Sequence, residues 1–566
     1  MAAVTGASAG AIALVGCGDD DGDNGNGTPA AGETPGGGGQ PKQGGTLNGT
    51  VSLVLGKDPH KASTFLTHAL ASYSYSRLYR FKTVIGELPQ PEWYTVEPEL
   101  ATNVEMPDAT TYIFTLHDGA KFHNLPPVMG RNVTAEDVLY SFDRYRAISP
   151  NRANLDMVQS VEPSADGKQV TFKLNEPFGL FLNRIASYQD LWIMPREFVE
   201  ESETASEDRM LGSGPFIFEE LRPGEVMRWR RNPDYFETDE RGNKLPYLDG
   251  IDLAIITDQN QVLSQFAAGN LHTISVPPQL IDQVRSENPD AIIDTSPRNI
   301  LSFVYFEPAT YTEDKPPFND VRVRRAISHA IDRDALLRRV SDEGGFWASM
   351  PINAGFGETW YLDPQSDDFG ENAQYFEFNP DRARELLAEA NATNLTVPMH
   401  FSSTTYNTIV PYYPIVKDGL AALFDQAGIG IREVPEEYGQ YIATTFAGQF
   451  DGMAFGLESV FSDIAAYYTN MFYPGDAGGG RNHSSIDDPE LVSRIQDMLR
   501  LQDLEELRQA NFELQRYLAE QMYYVPVVTP VEFGARVPQV KGLLNTSGPT
   551  TYGLGTESVR TAWLDV

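Results

Sequence analysis

The chain has 566 residues, more than one hydrophobic core normally supports, so two or three lobes are expected. Apolar residues make up 41%, ample for a folded body, while 43 Lys plus Arg against 79 Asp plus Glu leave a net charge of −36. That balance lacks the basic footprint that releases counterions from phosphates and excludes a nucleic-acid partner, leaving a solvated, self-repelling surface. A single cysteine, Cys17, excludes an internal disulfide and Cys-rich zinc or iron–sulfur centres.

Residues 7–15 are small and apolar, a run too short to cross a bilayer as a helix, which takes roughly 20 residues. The run ends Leu14-Val15-Gly16-Cys17, which fits the end of a secretory apolar region and resembles a bacterial lipobox, whose cysteine becomes the lipidated mature N-terminus. The first basic residue is Lys42, so a start upstream of Met1 is expected. Residues 18–45 contain no Leu, Ile, Val, Met or aromatic residue. Such a segment buries too little apolar area to fold and reads as a tether reaching roughly 30 Å. Gly6 to Gly10 matches the spacing of a nucleophile elbow, but no strand–turn–helix surrounds it. The Asp-rich stretch from Asp19 to Gly27 has no register that fits a calcium loop.

Beyond Gly45, strand and helix patterns mix without regular alternation or internal repeats. Tyr112, Phe114 and Leu116 alternate along one predicted strand, and Val170, Phe172 and Leu174 along another after an Asp166-Gly167 turn. Between them Thr134 and Asp137 form a capping-box variant ahead of Val138, Phe142 and Tyr145 on one helical face. Asn319-Asp320 opens a helix with Val323, Ile327, Ala330 and Ile331 in one stripe. Asn379-Pro380 and Asp488-Pro489 each place a cap before a proline at the first helical position. The stripes that follow are Ala383, Leu386, Leu387 and Ala390, then Leu491, Ile495, Met498 and Leu499. The reading is an α+β body with mixed α/β lobes.

A series of segments, in order, carries a more specific signal. Pro98 to Ala101 with Tyr112 to Gly119, Ala120 to His123, Thr134 to Phe142, Gly212 to Phe216 and Arg230 to Tyr235 come first. Lys315 to Ile327, continued by Ala330 to Arg333, is the most specific, and Asn379 to Leu387, Gly428 to Arg432, Phe450 to Gly456 and Tyr524 to Val528 complete the series. Together they resemble the bacterial extracellular solute-binding proteins of family 5, the large peptide- and nickel-type binding components of ABC importers, over residues 44–545.

The resemblance implies a periplasmic-binding-protein-like clamshell of the large three-lobed type. Its discontinuous first lobe comprises 45–91, 206–300 and 526–566; 92–205 forms the second lobe and 301–525 the third, which closes over the ligand by hinge bending. Residues 1–17 are the lipoprotein signal segment and 18–44 the tether. The implied partners are a small or peptide-like solute and the permease and ATPase subunits of an importer. Membrane contact runs only through the lipid anchor; the chain is exported, on the outer face of the cytoplasmic membrane or in the periplasm, and monomeric.

In peptide-binding members an Asp in the loop after the strand at Phe450 to Gly456 pairs with the ligand's α-ammonium, beside a Trp. Aligning Gly456 on the family Gly puts Leu457 at the Trp, Val460 at that Asp and Asp463 at a later acidic position. Gly456, Leu457, Glu458, Val460 and Asp463 are therefore the main ligand-contact candidates, although Glu458 and Asp463 also fit solvated carboxylates. Tyr406 and Asn407 resemble a pocket motif of the same members and also fit a strand-end turn. Tyr73, Tyr75 and Tyr305, the last followed by Phe306, sit where the family faces its cleft; each fits a pocket wall or a packed core equally well.

No cofactor is expected. His117 and His123 lie in scaffold segments, and none of the eight histidines are paired at i, i+3 or i, i+4, which argues against a metal role. The chain has no HExxH, no phosphate loop and no nucleophile–base pair. A solute-binding importer component is the leading reading, a surface-anchored sensor on the same fold the alternative, and a hydrolase the last.

Overall fold

The structure is a computed structural model. It describes residues 40–566 except 53, 63, 86–94, 298–299, 308–316, 343, 404–409, 411, 459–460, 462, 475–480 and 547–558. Cys17, most of the tether, Tyr406, Asn407 and Val460 lie outside the described residues.

Along the chain, β1 (Thr46–Val51) precedes four strands, β2 (Ala101–Asp108), β3 (Thr111–Leu116), β4 (Val158–Pro163) and β5 (Gln169–Leu174). Next come β6 (Phe216–Arg222), β7 (Val226–Arg231), β8 (Gly250–Ile255), β9 (Thr273–Val276) and β10 (Ile292–Pro297). The remaining strands used below are β11 (Leu301–Phe306), β12 (Thr396–Ser402), β13 (Gly430–Glu436), β14 (Met453–Glu458), β15 (Val525–Pro526) and β16 (Val528–Arg536).

These strands form separate sheets. The first has the order β1-β8-β7-β6, with β1 parallel to β8 although about 200 residues separate them, so it is assembled from distant pieces of chain. The excursion between them carries an antiparallel sheet of order β2-β3-β5-β4. The third sheet has the order β13-β12-β14-β11-β15, parallel over its first three strands and antiparallel at β11. A smaller sheet, β9-β16-β10, brings the late strand β16 back between two earlier ones. This is the α+β fold with a discontinuous first lobe that the sequence predicts.

Local chemistry explains the elements. On β3 and β5 the alternating aromatic and aliphatic residues are buried and their neighbours part-exposed. Helix α1 (Ala135–Ile148) starts at a capping box between Thr134 and Asp137, and buried Phe142 meets Phe172 edge-on. The short helix α2 (Phe181–Ile185) packs Phe181 on Tyr112. Asp320 caps α3 (Val321–His329) through the Arg322 N–H, and Asp332 caps α4 (Arg333–Val340) through the Ala335 N–H. Asn379 and Asp488 cap α5 (Pro380–Glu389) and α8 (Pro489–Arg500); between these lie α6 (Tyr413–Gln426) and α7 (Ile464–Phe472). At the far end of α9 (Leu504–Gln521), Arg324 donates to Gln521 O and Arg325 to Glu520 O, satisfying carbonyls that the helix leaves unpaired.

Two cores result. Val304, Phe306, Val323, Ile327, Leu420, Phe455 and Val525 belong to a core built mainly on the third sheet and its helices. A larger one joins residues of the first two sheets, such as Trp229 and Phe172, to Phe303, Tyr305, Phe461 and Tyr524.

Candidate functional site

The parallel strands β12, β13 and β14 bring their carboxyl ends, Ser402, Glu436 and Glu458, to one edge of the third sheet. Ligands of sheets with parallel strands bind in the crevice beyond such ends. The chain leaves β14 into residues 459–463, which makes this edge the candidate site.

Strand alternation decides which side chains face it. Met453, Phe455 and Leu457 of β14 enter the third-sheet core, whereas Ala454 belongs to the larger core shared with the other sheets. Gly456 and Glu458 fall on that same face. Along β11, Leu301, Phe303 and Tyr305 likewise turn toward the shared core, and Val304 and Phe306 away from it. Tyr305 is fully buried, and its hydroxyl lies 2.8 Å from that of Tyr441. This pair sits over Gly456, where a Cβ would stand 2.7 Å from the Tyr441 oxygen and 2.8 Å from the Tyr305 ring. Gly456 is thus the gap into which two tyrosines fit.

Glu458 has 0% side-chain exposure and is bonded to Arg481 and His483. Arg481 Nη1 donates to its Oε1 at 2.5 Å, and His483 Nε2 lies 2.9 Å from its Oε2. The other imidazole nitrogen of His483 lies 2.7 Å from Phe446 O. Asp463 caps α7, accepting from the Ala466 N–H at 3.1 Å, and pairs with Arg184 of α2 at 3.2 Å. Burial pushes its carboxyl above the usual range; Arg184 opposes that push and Asp190 adds to it. Nearby, Asp190 Oδ1 accepts from Tyr145 OH and Asn154 Nδ2, while Asn470 of α7 reaches Asn154 Oδ1. Arg184 Nε and Nη1, both side-chain polar atoms of Gln189, Asp190 Oδ2 and Asp463 Oδ2 are buried without a hydrogen-bond partner among the described residues.

Tyr73 and Tyr75 lie deeper. Tyr73 packs edge-on against Phe216 and Trp229, and the Tyr75 hydroxyl accepts from the Leu211 N–H. Their backbone lies against Gly212 and Gly214, whose missing side chains let the two segments touch. Arg184, Tyr441, Arg481 and His483 escape sequence reasoning. None stands in a recognisable motif, and the only cue to Arg481 and His483 is their place just after the glycine run 478–480.

A concavity of about 320 Å³ lies elsewhere, beside Asn48, Arg222, Arg228 and Asp252 of the first sheet. Its arginines already pair with Glu220, Glu225 and Asp252. Among the described residues no three His, Cys, Asp or Glu side chains are placed to hold a metal ion, and no helix is long and apolar enough to cross a membrane.

Comparison with known proteins agrees with this architecture. The family model of the bacterial extracellular solute-binding proteins, family 5 Middle, matches residues 95–479. A probable di/tripeptide-binding protein 5 of Pseudomonas aeruginosa is 26% identical over 503 residues, covering 84% of this chain and 88% of the relative. Among solved structures, the periplasmic binding protein DppA of Helicobacter pylori, in complex with the peptide STSA, superposes with a TM-score of 0.75 at 21% identity, covering 93% of this chain and 99% of that one. The binding protein AgaA of A. tumefaciens R10, in complex with agropinic acid, gives 0.74 at 20% identity, covering 92% and 99%. The chain belongs to the bacterial extracellular solute-binding proteins of family 5, a family of solute carriers and not of enzymes.

Proposed function

We propose that the chain is the solute-capturing component of an ABC importer and that its solute presents no free α-ammonium at residues 459–463. Capture occurs between 92–205 and 301–525, which hinge together around the carboxyl edge of the third sheet and deliver the solute to a permease driven by an ATPase. Cys17 supplies the lipid anchor that keeps the carrier on the outer face of the membrane.

The observation that carries the solute reading is the commitment of both nearby carboxylates. Glu458 is held by Arg481 and His483, and Asp463 by Arg184 and the N-terminus of α7. Each already has an arginine as counterion, so an incoming ammonium meets no unmatched negative charge, and Val460 aligns with the position at which the resemblance implies an Asp. An uncompensated buried charge costs roughly 3–5 kcal/mol, about two to three and a half decades of affinity. The fitting solutes are an oligosaccharide or a blocked or conjugated peptide.

Calorimetry against matched free and N-acetylated peptides, with an oligosaccharide panel alongside, tests this. The acetylated or sugar ligands are expected to bind and the free peptides to bind weakly. Sub-micromolar binding of free peptides that vanishes on acetylation refutes it. The anchor is tested separately: Cys17→Ser in a chain with a working signal is expected to move the protein from the membrane to the soluble fraction.

A further inference from the structure

The charge count at Glu458 does not close. Both ring nitrogens of His483 face acceptors, Phe446 O at 2.7 Å and Glu458 Oε2 at 2.9 Å. The His483–Glu458 pair therefore holds two protons between its members, whichever of them carries the second, and is neutral as a unit. Arg481 adds one positive charge that no other carboxylate among the described residues meets. An unmatched cation beside a fully buried carboxylate stands out in a chain of net charge −36.

The guanidinium of Arg481 is also built to present its remaining donors. It is fixed on one side by Glu458 and stacked over the Phe461 ring, 5.0 Å from its centroid. Its side chain is 15% exposed, while those of Glu458 and His483 are fully covered. Of its five N–H groups, one is engaged by Glu458 and no other acceptor is recorded among the described residues. Tyr305, Phe446 and Tyr524 surround His483, their ring centroids 4.2–6.3 Å away, so the underlying layer is rigid and apolar. Glu458 ends a parallel strand at the edge where the candidate site lies, and its bond to Arg481 places the guanidinium at that edge.

We propose that Arg481 reads an acidic group on the solute, so that the cleft takes a ligand bearing a carboxylate. This rests on the solute-capturing reading above and narrows it from a ligand without a free ammonium to one that also carries an acid. The charge balance is simple: the solute brings the anion that the His483–Glu458–Arg481 unit lacks, and the planar guanidinium binds it through paired N–H donors.

The test uses the purified chain and two matched pairs of probes, N-acetyl-trialanine against its C-terminal amide and digalacturonate against its methyl ester. The pairs distinguish a peptide carboxylate from a sugar acid. For the pair that binds, the acid is expected to bind at least about tenfold more tightly than its neutral partner. Arg481→Gln should erase that preference to within about twofold, read as the ratio of the two Kd values within the variant. Arg481→Lys, which keeps the charge and the contact to Glu458, covers the case in which the glutamine variant fails to fold. Its acid preference is expected to drop by about tenfold, since the fork is lost. Acid and neutral members that bind alike, or a preference that survives either substitution, overturn the inference and leave solute capture standing. Failure of all four probes to bind overturns the capture reading for these solute classes, and the inference with it.

Discussion

Arg184 and Asp463 lie 279 residues apart in sequence, yet their side chains meet at 3.2 Å with 1% and 2% exposure. One sits on a short helix beside the antiparallel second sheet, the other at the start of the helix that leaves the third sheet. Each keeps buried polar atoms unpaired, Nε and Nη1 on the arginine and Oδ2 on the aspartate. A contact of this kind strengthens as water leaves and is easily lost when the two segments part, since each charge regains solvent.

Asp463→Asn tests whether this pair governs capture. The amide oxygen still accepts from the Ala466 N–H, so the cap on α7 survives, but Arg184 loses its counterion. Leaving one buried charge unpaired costs roughly 3–5 kcal/mol, and solute affinity is expected to fall by about two decades or more. Small-angle scattering with solute should show less compaction than in the wild type. Replacing both residues, Arg184→Met with Asp463→Leu, is expected to recover most of the loss. Wild-type affinity in the asparagine variant rules the pair out as a closure contact.

The glycines at 212 and 214 make a sharper case about stability. A Cβ at Gly212 would lie 2.2 Å from Ser74 O, and one at Gly214 2.7 Å from Tyr73 O. Both obstacles are backbone, held by Gly214 N–H to Ser74 O and Phe216 N–H to Tyr73 O at 2.9 Å. Gly212→Ala must break this seam and is expected to destabilise the fold by about 3 kcal/mol or more. Gly56, with nothing within 4 Å of its would-be Cβ, is the control, and Gly56→Ala should change stability by less than about 0.5 kcal/mol. Equal urea midpoints for the two variants contradict the packing argument.

How much of this was legible in the sequence depended on the range of the interaction. Thr134 with Asp137, Asp320, Asn379 and Asp488 were readable as caps because partner and signal lie within a few residues. The stripes at Val323 and Ile327 or Leu491 and Ile495 follow the helical period, and they are buried as expected. β11 was harder. Leu301 to Phe306 is buried on both faces, so its composition does not tell which side Tyr305 takes. Arg481 and Glu458 are 23 residues apart, and Arg184 and Asp463 far more; no local pattern couples such pairs. The motif at Gly212 was visible as a string, but only the approach of Ser74 explains why it needs glycine.

Gly456→Ala is expected to act through the tyrosine pair above it. The new methyl group would meet the Tyr441 oxygen at 2.7 Å and the Tyr305 ring at 2.8 Å, and both rings are buried. Overpacking of this sort costs about 1–3 kcal/mol. Tyr441→Phe removes the nearer obstacle, so the double variant should be more stable than additivity predicts, by about 0.5 kcal/mol or more. Thermal melts of the two single variants and the double variant give the coupling. Strict additivity would show that the methyl group is accommodated elsewhere.

Three buried histidines give the fold an acid limit. His60 and His123 are held neutral, with burial as the main cause, so that the pKa of each falls to about 4; burial lowers that of His68 to about 3. The contacts agree with neutral rings. His123 Nε2 lies 3.0 Å from Gly214 O, and its Nδ1 accepts the Gly212 N–H, while His68 Nδ1 accepts the Trp192 indole N–H. A proton on Nδ1 would set donor against donor in both cases. Because these folded-state values lie below the unfolded value of about 6.5, the unfolded chain binds protons first as pH falls. The stabilisation from the neutral rings is therefore complete above about pH 6.5 and is lost between that point and about pH 4. Three such groups give a slope of up to about 4 kcal/mol per pH unit in that window. Asp463 works in the opposite sense, since its raised carboxyl favours the folded state as pH falls, but it is a single group against three. Urea midpoints at pH 7.5, 6.0 and 5.0 should therefore drop steeply, and the drop should be shallower in His123→Gln, whose amide does not titrate. A midpoint that holds steady from pH 7.5 to 5.0 means that these rings are not kept neutral by the fold.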